Sequence, residues 1–61
     1  MTTDQAQKLG QRAARAASRG DEDGARALVR DVVRAASYAR DKAHGQALAA
    51  AFEHGYGHGE G

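Results

Sequence analysis

The stretch from Ala25 to Ala43, ARALVRDVVRAASYARDKA, limits what this chain can become more than any other feature. Leu28, Val29, Val32, Val33, Ala36, Ala39 and Ala43 recur at spacings of three and four. Residues so spaced fall on one side of a helix, and a stripe of that kind needs a covering partner. The remainder of the chain must therefore pack against this stripe, lead into it or trail from it. The sequence predicts an all-α protein.

Bulk is scarce. Outside Leu9, Leu28, Val29, Val32, Val33, Tyr38, Leu48, Phe52 and Tyr56, the apolar content is almost all alanine. Each alanine contributes roughly one methyl of burial, at most about 0.8 kcal/mol. With 61 residues the chain makes at most one domain, and a core of this size rarely supplies more than about 3–5 kcal/mol. No cysteine is present, so neither disulfides nor thiolate-bound metal can add to that. Self-association or a protein partner is the expected further source of stability.

Thr2 and Gln5 have the spacing of a capping box, with Thr3 as an alternative cap and Asp4 in the first turn of a helix that should run to about Arg19. Its stripe is Ala6, Leu9, Ala13, Ala16 and Ala17, with Gly10 at the edge. Gly20 suits the position just past a helix end, and one of Asp21, Glu22 and Asp23 should cap the next helix. Two helices joined by so short a turn are expected to form an antiparallel hairpin. The second helix should reach at least Lys42 and then break or kink at Gly45. QALAAAFEH after that glycine would form a short third helix covering the hairpin. From Gly55 onward glycine occupies every second position, which predicts a disordered tail. The expected organisation is a helical domain over 1–54 and a flexible Gly/His tail over 55–61.

The formal charge of +1 supplies no strong field toward nucleic acid or an anionic membrane. MTTDQAQKLG lacks the basic-then-apolar order of a signal peptide, and ALAAAF is too short to span a bilayer. The expectation is a soluble cytoplasmic protein with no membrane association. The weight of Ala, Arg and Gly would suit a GC-rich bacterial, plasmid or phage genome.

Four sets of residues are candidates for function. Lys8, Arg12, Arg15 and Arg19 follow one side of the first helix, and Arg26, Arg30 and Arg34 follow one side of the second. Acidic neighbours can neutralise the second row, which leaves Arg12, Arg15 and Arg19 as the candidate nucleic-acid-binding residues. In a hairpin the two rows should point to opposite sides, and no aromatic residues interleave with them for base stacking. His54 and His58 have the spacing of helical metal ligands, but Gly55 and Gly57 between them should break the helix, so no metal or other cofactor is expected. No nucleophile with a nearby base is evident, and a two-helix core leaves little room for a substrate pocket, which argues against an enzyme. Tyr38, Leu48 and Phe52, with Tyr56 beyond them, are the large residues left once the hairpin stripe is assigned. Interfaces favour such side chains as anchors, so Tyr38, Leu48 and Phe52 are the expected partner-binding residues; the alternative is that Leu48 and Phe52 finish the intramolecular core.

The hairpin resembles a single tetratricopeptide-type repeat, with Leu9, Ala13 and Ala16 in the first helix, Gly20-Asp21 at the turn and Ala25, Val29 and Val32 in the second. The family's aromatic positions hold Leu or Ala here, its closing proline is missing and no second repeat follows, whereas such arrays need about three. The resemblance implies shared helix-hairpin packing and transfers no binding residues. The function expected from the sequence is that of a small non-enzymatic, self-associating interaction module. The alternative is a DNA- or RNA-binding regulator using Arg12, Arg15 and Arg19.

Overall fold

The computed structural model describes residues 1–58. The protein is all-α, with three helices of nearly equal length: α1 Thr3–Ser18, α2 Glu22–Ser37 and α3 Lys42–His58. No strand occurs among the described residues.

The first helix begins where its cap dictates. The Gln5 amide donates to Thr2 Oγ1 at 3.1 Å, and the Thr2 amide donates to Gln5 Oε1 at 2.9 Å. This reciprocal pair satisfies two amides that the start of a helix leaves without partners. The end of α1 is equally well defined. Gly20 has φ +80°, its amide donates to the Ala17 carbonyl at 3.0 Å, and the Asp21 amide donates to the Ala16 carbonyl at 2.8 Å. These are the two bonds of a Schellman ending, which needs a left-handed residue where Gly20 stands. Of the three acids that follow, Asp21 caps α2: its carboxylate accepts from the Gly24 amide at 2.9 Å.

Beyond that point the chain departs from the expectation. The second helix stops at Ser37 instead of passing Lys42, and Tyr38 to Asp41 form the connection. Asp41 restarts the helix: its carboxylate accepts from the Ala43 amide at 2.9 Å, and its carbonyl accepts from the Gly45 amide at 3.0 Å. The break therefore precedes Gly45, which lies inside α3 and is buried. The third helix is neither short nor optional. It continues through Gly55 and Gly57 to His58. The part of the expected flexible tail at residues 55–58 is helical, and the rest, 59–61, lies outside the described residues.

Packing explains why glycines that disfavour a free helix are accommodated in this one. α1 packs most extensively against α3, less against α2, and α2 touches α3 least. At the main crossing a Cβ on Gly10 would run into the Phe52 carbonyl oxygen and lie 2.8 Å from the Tyr56 nitrogen. A Cβ on Gly55 would collide with the Gln7 carbonyl. At the other end of α3, a Cβ on Gly45 would sit 2.8 Å from the Ala36 carbonyl oxygen. The cost of an interior glycine, roughly 0.5–1 kcal/mol, is offset by close approach of the backbones and dispersion along it.

The core is correspondingly small. Ala13, Val32 and Phe52 form its centre, one residue from each helix, with Leu9, Ala25 and Leu28 packed around them. Leu48 is fully enclosed, and Ala6, Ala14 and Ala16 are buried with it. The molecule measures 34 × 22 × 12 Å along its principal axes, so it is thin in one direction.

Candidate functional site

Val29 and Val33 show where the fold remains open. Both belong to the apolar stripe of α2, yet they are 41% and 57% exposed, while Val32 beside them is buried. At about 100° per residue, Leu28, Val32, Val29 and Val33 spread over an arc too wide for one neighbouring helix to cover. Leu28 and Val32 pack inward with α1 and α3, and the other two valines face the space between α2 and α3.

That space is an open groove of about 620 Å³ lined by Ala25, Val29, Val33, Phe52, Tyr56 and Gly57. The Phe52 and Tyr56 rings are stacked with centroids 6.4 Å apart. Phe52 is buried and Tyr56 is 46% exposed, so this aromatic pair leads from the core to the surface and forms one wall. Charge borders the groove asymmetrically: Arg26 and Arg30 stand on the α2 side and Glu53 on the α3 side.

The three expected partner-binding residues do not share a surface. Leu48 is 1% exposed and Phe52 9%, so both are largely or wholly enclosed within the fold. Their large side chains are buried because α3 is longer and better docked than the sequence suggested. Tyr38 is 78% exposed, but it sits at the end of α2, outside the groove. Sequence reasoning missed Val29 and Val33 by assigning the whole α2 stripe to the core. The width of the arc was the signal that could have separated them.

A second concavity, of about 440 Å³, lies between α1 and α2. Arg12, Arg15 and Arg19 all line it, with Ala16, Ala27 and Leu28. The Arg26 and Arg30 side chains line the other groove, so the two arginine rows remain apart, as their helix faces imply.

The histidines differ from expectation as well. His54 and His58 are both on α3, exposed, with ring centroids 4.5 Å apart. The glycines between them do not interrupt the helix. His44 is elsewhere, with Nε2 3.0 Å from the Met1 carbonyl oxygen. No helix among the described residues is long and apolar enough to cross a membrane. No known protein family, curated protein or solved structure matches the chain.

Proposed function

We propose that the chain is a non-enzymatic helical interaction module whose docking surface is the α2–α3 groove, and that its partner is a second copy of itself. The observation that carries this reading is a half-exposed apolar row, Val29, Val33 and Tyr56, continuous with the core at Phe52. The 12 Å thickness supports it, because a helical layer is stabilised by a second layer over its apolar face. Charge placement favours a second copy. Two-fold pairing of the groove faces about an axis along the groove sets the arginine side of each against the acidic side of the other, so that Arg30 meets Glu53 of the partner subunit twice. In this reading α1 and α2 form the antiparallel hairpin, and α3 supplies the second wall of the groove.

The expected affinity is modest. Burying the still-exposed halves of Val29, Val33 and Tyr56 in both subunits is worth roughly 6 kcal/mol, which lies near the low end of an association cost of about 4–15 kcal/mol. Assembly should therefore depend on concentration. Light scattering behind size exclusion, across the micromolar range, tests it directly. Val33→Asp should shift the protein to monomer. Arg30→Glu and Glu53→Arg should each weaken assembly, and the double exchange should restore it. A monomer at all concentrations, or a dimer indifferent to Val33→Asp, would exclude the self-pairing.

The shared concavity of Arg12, Arg15 and Arg19 favours one second reading, a nucleic-acid contact through phosphates. Three such contacts should weaken duplex binding about fortyfold between roughly 50 and 200 mM salt. Binding that is absent, or unaltered by salt, removes that reading.

A further inference from the structure

Two imidazoles four residues apart on a formed helix make a chelating pair, and α3 provides this at its C-terminal end. With metal–nitrogen bonds of about 2.0–2.1 Å, adjacent imidazole ligands place their ring centroids roughly 4.5–5 Å apart. The His54 and His58 centroids are 4.5 Å apart, with the ring planes inclined at 42°. Both side chains are exposed, so an ion reaches them without opening the fold. We propose that His54 and His58 chelate a divalent transition-metal ion of the kind that prefers imidazole, such as Cu²⁺, Ni²⁺ or Zn²⁺.

The backbone between the two ligands gives this site a structural consequence. Gly55 is anchored against Gln7 of α1, whereas Gly57 has nothing near the position of an added Cβ. The last turn of α3 therefore combines a pinned residue with an unsupported glycine, the kind of helix end that opens most readily. An ion bridging His54 and His58 spans this turn and holds it closed, because metal binding and ordering of the ligands are one equilibrium. Tyr56 lies within the bridged segment and also lines the α2–α3 groove. The chelate thus fixes that wall of the groove. Relative to Gly55, the histidines lie on the opposite side of the helix from Tyr56 at about 100° per residue, so the ion does not fill the groove itself. Two protein ligands leave the other coordination positions to water.

The test is calorimetric titration of the intact chain with Cu²⁺ alone, with helicity followed by circular dichroism. The expected result is one ion per chain and a gain in helicity. His54→Ala and His58→Ala should each weaken binding about tenfold or more, while His44→Ala leaves it unchanged. Gly57→Ala should tighten binding about two- to fivefold by stabilising the turn. Gly57→Pro, which keeps both histidines but removes the helical register, should weaken binding to the level of the single-histidine variants and remove the helicity gain. Binding of full strength in Gly57→Pro would show that the histidines act as loose ligands and would overturn the proposal. So would loss of binding in His44→Ala, or no effect of either His54→Ala or His58→Ala.

Discussion

Gly55 of α3 rests directly on the backbone of Gln7 in α1: a Cβ there would come within 2.9 Å of the Gln7 carbonyl carbon and collide with its oxygen. The same crossing is mirrored at Gly10, whose added Cβ would strike the Phe52 carbonyl. Two helices that touch backbone to backbone have no flexible side chain at the contact to absorb an intruding methyl. The tightness of the α1–α3 crossing depends on these two hydrogens.

Gly10→Ala and Gly55→Ala should therefore destabilise the protein, although alanine is the better helix former. The propensity gain is about 0.5–1 kcal/mol, and overpacking in a closed site costs about 1–3 kcal/mol. Each variant should show a clearly lower urea midpoint than the parent. An unchanged or raised midpoint would mean that α1 and α3 are not this close.

Gly57→Ala and Gly20→Ala separate the remaining roles of glycine. Open space surrounds the Cβ position at Gly57, so alanine there should stabilise by about 0.5–1 kcal/mol. Gly20 has equal room, but its φ is +80°, and a side chain in that conformation costs about 1–2 kcal/mol. Thermal melts of the two variants should move in opposite directions from the parent.

The contrast also explains which parts of the fold were legible. Thr2, Gln5, Gly20 and Asp21 act within a few residues of themselves, and their hydrogen bonds follow from local chemistry. α3 was obscured because its buried face is Gly45, Leu48, Phe52 and Gly55. The spacing is helical, but half of the face is glycine, which reads as a breaker until a neighbouring backbone is seen against it. The groove was obscured for a related reason. Val29 and Val33 fit the helical period as well as Val32 does; the width of their arc shows that one neighbour cannot cover all of them, and the position of α3 decides which remain uncovered.

Phe52→Ala and Val33→Ala distinguish fold from surface. Phe52 belongs to the central cluster with Ala13 and Val32, and truncating a buried phenylalanine costs about 3–5 kcal/mol. That is comparable to the whole stability expected of so small a core, roughly 3–5 kcal/mol. Phe52→Ala should leave little cooperative unfolding transition. Val33 is 57% exposed, and its truncation in a monomer should stay within about 0.5 kcal/mol. Loss of self-association on Val33→Ala with an intact melt at low concentration would mark an interface. Loss on Phe52→Ala would report unfolding.

Asp41 governs where α3 begins, and it does so with little help. The first turn of α3 holds no acidic residue and carries Lys42 and His44 at the positive end of the helix dipole. The Asp41 carboxylate, bonded to the Ala43 amide at 2.9 Å, is thus the local group that opposes fraying there. Asp41→Ala should cost about 1 kcal/mol, within the usual range for a lost cap. Asp41→Asn should retain most of the stability, since an amide oxygen can still accept from Ala43. Hydrogen exchange should localise the effect: faster exchange at the Ala43 amide in Asp41→Ala, and little change at the Gln5 amide, which Thr2 holds at the start of α1. Equal exchange at Ala43 in parent and variant would show that docking of Gly45 on Ala36, and not the cap, sets the start of the helix.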